Sequence, residues 1–189
     1  MSAEAVGTYM PAVITLDDLA AMNAADPNGH RYEMSPEGVL SVLPPPDPEH
    51  AATASRLFAW LTSGWPADQV LQLAGVRIDG VRIDGVASGG GRTPDITVWR
   101  RVPPPPAVWL STADLLLAIE VVAPGSEGTD AVTKRREYAA AGIPRYWVVD
   151  RGGAQVVTLY QLASGSTYQE RAKMPLDWLL RTAPADHLG

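Results

Sequence analysis

The stretch that decides the fold is residues 115–150, LLLAIEVVAPGSEGTDAVTKRREYAAAGIPRYWVVD. It opens with an apolar run, Leu115–Val122, of the length and composition of a buried strand. A helix is predicted over TDAVTKRREYAAAG, because Gly142 is a typical helix stop and Pro144 follows it. The apolar segment PRYWVVD predicts a second strand that ends at Asp150. The stretch therefore indicates a strand, a helix and a strand, which is the pattern of an α/β (α+β) fold.

One acid, Glu120, interrupts the first of these strands. A buried carboxylate without a partner costs several kcal/mol or loses its charge. Glu120 must therefore pair with a cation, ionise poorly or coordinate a metal ion. A salt bridge to an arginine, or a place near solvent at the strand end, is the ordinary structural alternative.

Composition limits the class of protein. The chain has 189 residues, of which 46% are hydrophobic, so we expect a single domain over residues 1–189. No apolar stretch approaches the roughly 20 residues of a membrane span, and the N-terminus shows no export signal. The absence of cysteine excludes disulfides and thiolate metal sites and fits a cytoplasmic protein. The three histidines, His30, His50 and His187, lack zinc-site spacing.

The net charge of −6 argues against strong binding of nucleic acid, which relies on clustered lysine and arginine. Two dense basic clusters occur, Arg100–Arg101 and Lys134–Arg136. Each is ordinarily a solvated surface. A local basic patch on an acidic protein remains compatible with these numbers.

The first third of the chain shows clear boundary signals. Thr15 is predicted to cap a short helix, and Ser35–Gly38 to form the turn of a β-hairpin. Asp47 is a predicted N-cap, followed by Pro48 in the first turn of a long helix that ends near Gly64.

The middle of the chain contains the pentapeptide VRIDG twice in tandem, at 76–80 and 81–85. We predict an extended strand or hairpin there, followed by a flexible link at Gly89–Gly91. The segment TPDITVW predicts a strand, RRVPPPPAVWLSTAD a stiff connector, and AQVVTLYQL and STYQERAKM a strand pair. From residue 48 to 150 the predicted order is helix, three strands, helix, strand. The last residues are expected to fray.

Two acids suggest a metal site. Asp95 lies near the start of one predicted strand and Glu120 lies on the next, so both side chains can face one cleft. Two carboxylates form a hard oxygen site suited to Mg²⁺. A lysine two residues after Glu120 would complete such a site, but Val122 stands there. Lys134 lies on the following helix, in line with Asp130 and Tyr138 at intervals of four residues. An Asp130–Lys134 surface ion pair is the ordinary alternative.

The segments RYEMSPEGVLSVLPPPDPEH, TPDITVW and residues 118–150 together resemble the bacterial Uma-type restriction endonuclease family, within the PD-(D/E)xK nuclease superfamily. The resemblance runs from about Leu16 to Tyr168. It implies a restriction-endonuclease-like core at roughly 48–150, with a mixed central sheet flanked by helices and an N-terminal helix and hairpin as an extension. It also implies a metal-dependent endonuclease, a hydrolase of DNA phosphodiester bonds.

Carried over residue by residue, the resemblance makes Asp95 and Glu120 the metal ligands, with Mg²⁺ as the expected ion and Mn²⁺ as a substitute. Val122 occupies the usual lysine position, and Lys134 is the replacement on the next helix. Glu33 matches a family acid, and His50 could orient a water or ligand. Alternatively, Glu33 is an outward residue paired with Arg31, and His50 is a packed residue near the helix start.

Further expectations follow from a nuclease assignment. Backbone phosphate contacts are expected from four arginines: Arg100, Arg101, Arg135 and Arg136. Superfamily members often dimerise to cut both strands, so a homodimer is expected. Two other functions stay open: a degenerate nuclease fold that serves as a binding or assembly module, favoured by Val122 and the acidic charge, and a hydrolase of another phosphoester.

Overall fold

The computed structural model describes residues 14–83, 86–104, 107–122, 130–163 and 166–188, without the side chains of 80–83, 86–88, 130 and 131. The helices are α1 (Leu16–Ala25), α2 (Pro48–Gly64), α3 (Asp130–Ala140), α4 (Leu176–Leu179) and α5 (Ala185–Leu188). The strands are β1 (Arg31–Met34), β2 (Leu40–Leu43), β3 (Val70–Gln72), β4 (Val76–Ile83), β5 (Val86–Arg92), β6 (Ile96–Trp99), β7 (Leu110–Ser111), β8 (Leu115–Val122), β9 (Arg145–Asp150), β10 (Val156–Ala163) and β11 (Thr167–Pro175). Within these ranges, no helix has the length and hydrophobicity to cross a membrane.

The strands form two sheets. A six-stranded mixed sheet has the order β11-β10-β9-β8-β6-β3, and a five-stranded sheet has the order β2-β1-β5-β4-β7. In the larger sheet β8 and β9 run parallel, and the other neighbours run antiparallel. A parallel pair needs a crossover between its strands, and α3 lies in that connection. The predicted strand–helix–strand unit over 115–150 is thus confirmed.

The predicted order of elements from 48 to 150 is found within the larger sheet. There the sequence is α2, β3, β6, β8, α3 and β9. The strands β4, β5 and β7 leave this sheet and join the β1–β2 hairpin instead. The hairpin predicted as an extension is therefore part of a second sheet.

The local boundary signals are confirmed. The Thr15 hydroxyl accepts a hydrogen bond from the Asp18 N–H, and the Asp18 carboxylate accepts one from the Thr15 N–H, which forms a capping box. Asp47 caps α2 by accepting from the His50 N–H at 2.8 Å, and Pro48 is in the first turn. Gly142, beyond the end of α3, has φ of +73°, which suits glycine.

The prediction of a flexible link at Gly89–Gly91 is wrong, because these residues lie in β5. Their lack of side chains allows close packing inside the second sheet. A Cβ on Gly90 would lie 2.7 Å from the Met34 carbonyl oxygen, and one on Gly91 would lie 2.7 Å from Leu19 Cδ2. The glycines therefore permit close approach of the backbone rather than flexibility. In the VRIDG duplication, Asp84 and Gly85 lie outside the described residues.

Two further predictions need correction. The connector over 100–114 contains β7, which pairs in parallel with β4, and a 3₁₀ turn at Thr112–Asp114. The chain end does not fray at residues 185–188, because α5 docks on the core and Leu188 is 3% exposed. Burial of an apolar side chain offsets the entropy that otherwise favours a loose terminus.

The larger sheet separates two apolar cores. Leu117, Ile119 and Val121 of β8 pack on the α2 side with Leu57 and Leu61. Ala118, on the opposite face, packs with Tyr138 of α3. Because successive strand residues point to opposite faces, Glu120 shares the α3 side with Ala118. This alternation directs the acid toward the helix that follows its strand.

Candidate active site

Asp95 and Glu120 lie beside each other at one end of the larger sheet. Strands β6 and β8 pair antiparallel with Ile96 opposite Ile119, so the residues just beyond this pair are Asp95 and Glu120. The Val121 N–H donates a hydrogen bond to Asp95 Oδ2 at 2.8 Å. Both acids are buried, with exposed fractions of 2% and 7%, and both line a cleft of about 460 Å³.

The Asp95 carboxylate is held ionised by its neighbours. His50 Nε2 lies 2.9 Å from Asp95 Oδ1, and Arg31 Nη1 lies 3.3 Å from the same oxygen. Burial works to raise the pKa of Asp95, but the hydrogen bond and charge of His50, the Val121 amide and Arg31 together lower it below its usual value. Asp95 therefore offers a charged oxygen ligand.

Glu120 finds its partners on α3. The Tyr138 hydroxyl donates to Glu120 Oε1 at 2.8 Å, and Lys134 Nζ lies 3.2 Å from Oε1 and 3.3 Å from Oε2. Burial raises the pKa of Glu120 to about 7, against the lowering effect of Lys134, and the charges of Asp95 and Glu33 raise it further. The carboxyl group of Glu120 therefore titrates near neutral pH, and additional positive charge beside it would favour its ionised form.

Lys134 lies between two carboxylates. Its Nζ is 3.0 Å from Glu33 Oε2 as well as within reach of Glu120, and the residue is 3% exposed. Lys134 is therefore buried rather than on the surface, and its pairing with Asp130 stays a prediction. The side chain of Asp130 lies outside the described residues. Lys134 and Tyr138, one helical turn apart, face the same acid, as the spacing predicts.

Glu33 belongs to the second sheet and joins it to the first. It is 1% exposed, and its Oε1 accepts a hydrogen bond from the Thr93 N–H at 2.9 Å. Arg92 Nη1 lies 3.3 Å from Glu33 Oε2, while Arg92 also makes two 2.7 Å hydrogen bonds to the Glu137 carboxylate. The alternative of an outward Glu33 paired with Arg31 is wrong, because Arg31 binds Asp95 instead.

The four arginines predicted to bind phosphate are not among the described residues that line this cleft. Arg100 and Arg101 follow β6 at its end away from Asp95, and both are exposed. Arg136 is exposed on α3. Arg135 lies over the Tyr160 ring, 5.2 Å from its centroid, and lines a separate cavity of about 150 Å³.

Two other arginines line the cleft, and sequence reasoning missed both. Arg31 reaches it from β1, and Arg151 reaches it from the residue after β9. In the parallel pair β8–β9, Val122 lies opposite Asp150, so the next residue, Arg151, emerges close to the end of the Glu120 strand. The one sequence signal for this was the position of Arg151 directly after an apolar strand.

The donor set at the cleft fits a magnesium ion. Over the described ranges, no group of three or more His, Cys, Asp or Glu side chains is arranged to hold a metal. Mg²⁺ needs no such cage, since it binds through one or two carboxylates together with water and phosphate oxygens. Asp95 and Glu120 supply two carboxylates from neighbouring strands, and the excess negative charge around Glu120 favours a cation.

The chain is similar to a known protein family and to a solved structure. A family model described as "Uma2: Putative restriction endonuclease" matches residues 16–185. Among solved structures, a protein described as "a putative nuclease belonging to DUF820 from Anabaena variabilis ATCC 29413" superposes with a TM-score of 0.60. It is 18% identical over 83% of each chain, so this likeness confirms the fold class. No curated protein matches the chain.

Proposed function

Because the chain belongs to the Uma2 family, described as "Putative restriction endonuclease", we propose that it is a nuclease that hydrolyses DNA phosphodiester bonds with a divalent cation. The observation that carries the proposal is the meeting of two buried carboxylates, Asp95 and Glu120, in one cleft with the amine of Lys134. Asp95 directly precedes β6, Glu120 lies on β8 and Lys134 lies on α3, so two acids and an amine meet from three parts of the chain.

We assign the metal to Asp95 and Glu120, with Mg²⁺ as the expected ion and Mn²⁺ as its substitute. The cation would supply Lewis-acid polarisation of the phosphate and lower the pKa of water. Asp95 would stay ionised for this role because His50 and Arg31 stabilise its charge. Glu120 would ionise fully once positive charge is added beside it.

Lys134 takes the role of the motif lysine in this proposal, since Val122 occupies the usual position. Its amine lies 3.0 Å from Glu33 Oε2 and 3.2 Å from Glu120 Oε1, and these two contacts restrict the side chain. A fixed ammonium beside the metal ligands would orient the nucleophile and stabilise the negative charge that develops on the phosphate.

One observation favours the alternative of a binding or assembly module without catalysis. Both oxygens of Glu120 lie within 3.3 Å of Lys134, so the protein itself already supplies a cation to this acid. Catalysis requires this ion pair to coexist with a bound cation. Metal binding is therefore the property that separates the two functions.

Isothermal titration calorimetry with Mg²⁺ and with Mn²⁺ tests the metal site. We expect wild type to bind, and Asp95→Asn and Glu120→Gln to lose binding, whereas the exposed Glu170→Gln serves as a matched control that binds normally. Absence of metal binding by wild type would leave only the binding-module function.

A plasmid-nicking assay then tests hydrolysis. Wild type is expected to nick DNA with Mg²⁺, and Asp95→Asn, Glu120→Gln and Lys134→Met to lose at least about 100-fold in rate. Activity that persists in Asp95→Asn would indicate a contaminating nuclease. Metal binding without DNA cleavage, together with hydrolysis of a small phosphodiester, would point to the phosphoesterase function.

A further inference from the structure

We propose that Arg31 and Arg151, rather than the four arginines predicted from the sequence, bind the phosphodiester backbone of DNA in the cleft. This inference rests on the proposed nuclease function, because it assigns the substrate contacts of the same site. Three observations support it: both side chains line the cleft, each is fixed by contacts with carboxylates, and each has a guanidinium Nε without an acceptor among the described residues.

Arg31 is held beside the metal ligands with one edge of its guanidinium group uncommitted. Its Nη1 lies 3.3 Å from Asp95 Oδ1, and its side chain is 20% exposed in the cleft. In the described part of the chain, Arg31 Nε is buried and donates to no acceptor. The Nε–Nη2 edge is a planar fork that matches two oxygens of one phosphate. A phosphate bound there would lie next to Asp95.

Arg151 is fixed even more firmly. Its Nη1 and Nη2 donate to the two oxygens of Asp47 at 2.8 and 2.9 Å, and Nη1 also lies 3.4 Å from Glu49 Oε2. The side chain is 5% exposed, and Nε is again buried with no acceptor among the described residues. An unpaired buried donor costs about 1–3 kcal/mol, so a ligand oxygen that satisfies it gains affinity.

The two arginines flank the acids across the sheet. In the strand order β9-β8-β6, Arg151 follows β9 and Glu120 lies on β8. Asp95, which Arg31 contacts, directly precedes β6. Both arginines line the same cleft as the two acids. A phosphate held beside the acids would therefore have an arginine on either side of it.

The lining of the cleft is balanced in charge, although the whole chain is acidic. Among the described residues that line it, three are cations and three are anions: Arg31, Lys134 and Arg151 against Asp47, Asp95 and Glu120. A bound divalent cation makes the balance positive. The net charge of −6 is thus spread elsewhere and does not oppose phosphate binding at this point.

The test is fluorescence anisotropy with a short fluorescein-labelled DNA duplex, in EDTA and again with Ca²⁺, at several salt concentrations. Arg31→Gln and Arg151→Gln are each expected to weaken binding by about tenfold and to reduce the salt slope by about one. The matched controls, Arg100→Gln and Arg136→Gln, are expected to change binding less than about twofold. Equal loss in the controls, unchanged binding in the cleft variants, or no DNA binding by wild type would overturn the inference.

A measurement on wild type covers the case in which a cleft variant does not fold. In ¹⁵N,¹³C-labelled protein, the Nε–H signals of Arg31 and Arg151 are expected to shift when the duplex is added, whereas that of Arg136 stays in place. DNA binding without shifts at the two cleft arginines would contradict the assignment. Since binding is measured in EDTA, a protein that binds through these arginines but never cleaves DNA would refute the nuclease proposal and leave this one intact.

Discussion

Glu120 shows how a single acid is tolerated inside an apolar strand. Tyr138 donates a hydrogen bond to it and Lys134 pairs with it, yet burial and the nearby Asp95 and Glu33 still raise its pKa to about 7. In the described part of the chain, the cluster around it contains Glu33 and Glu137 together with Arg92 and Lys134. When Glu120 is ionised, this cluster has one more negative than positive charge, an arrangement that favours a bound cation.

This gives a prediction for Glu120→Gln. The pKa in the folded state is raised from its ordinary value of 4.5 to about 7, so the folded state binds the proton more tightly than the unfolded state. The contribution of Glu120 to stability consequently falls as pH rises from about 4.5 to about 7, by on the order of 3 kcal/mol, and then levels off. The Gln variant is expected to become more stable than wild type over this window.

Urea unfolding at several pH values measures the effect. The difference in unfolding free energy between Glu120→Gln and wild type is expected to grow with pH and to reach a plateau above pH 7. Glu170→Gln, an exposed substitution on β11, should show no such trend. A difference independent of pH would mean that folding does not shift the pKa of Glu120.

Among the elements, α3 and β5 bring the two sheets to one site. On α3, Lys134 and Tyr138 point to the larger sheet, and Glu137 binds Arg92 at the end of β5. The position of β5 in turn depends on its glycines, because the strand passes close to the β1–β2 hairpin. The packing of β5 is therefore part of what positions Lys134.

Gly90→Ala is expected to destabilise the protein by about 1–3 kcal/mol, since the new methyl group would lie 2.7 Å from the Met34 carbonyl oxygen and the Pro36 nitrogen. Backbone atoms cannot move aside as a flexible side chain can. Gly89→Ala is the matched control, because the nearest atom to its Cβ is 3.7 Å away. Equal unfolding free energies for the two variants in urea would show that the β1–β2 hairpin shifts to make room for the added methyl group.

At the scale of the whole molecule, the C-terminal segment closes the core on the α2 side. Leu188 packs with Leu57, Leu61 and Trp147, and the His187 ring lies 6.2 Å from those of Trp60 and Trp147. Residues far apart in the chain thus share one apolar core, which favours cooperative unfolding.

Leu188→Ala is expected to cost about 2 kcal/mol or more through the cavity that it leaves. Thermal unfolding should then show a Tm lower by about 4–8 °C. Trp178→Ala is a suitable control, since Trp178 is 66% exposed and should leave Tm nearly unchanged. A Leu188→Ala variant with wild-type Tm would mean that α5 contributes little to the fold.

The single domain over residues 1–189 and the homodimer both stay predictions. For one domain, tryptophan fluorescence and far-UV circular dichroism should report the same urea transition. Two separated transitions would contradict a single domain.

Sedimentation equilibrium measures the oligomeric state, for which twice the 20.1 kDa chain mass is expected.

The sequence alone determined the local features of this protein. The apolar run Leu115–Val122 predicted β8 to the residue, and Thr15 and Asp47 predicted their helix caps. These features depend on neighbouring residues and on the periodicity of side chains, so a linear pattern contains them. The family motif added Asp95, Glu120 and Lys134 as one group.

The tertiary structure alone decided which distant residues meet at the cleft. Arg31 binds Asp95, 64 residues away, and Arg92 binds Glu33 across 59 residues. Such contacts depend on which distant strands pair and on how the two sheets meet, and neither follows from local periodicity. Arginines that the sequence does not distinguish therefore lie in different environments. Arg151 lines the cleft, whereas three others are exposed to solvent: Arg100, Arg101 and Arg136.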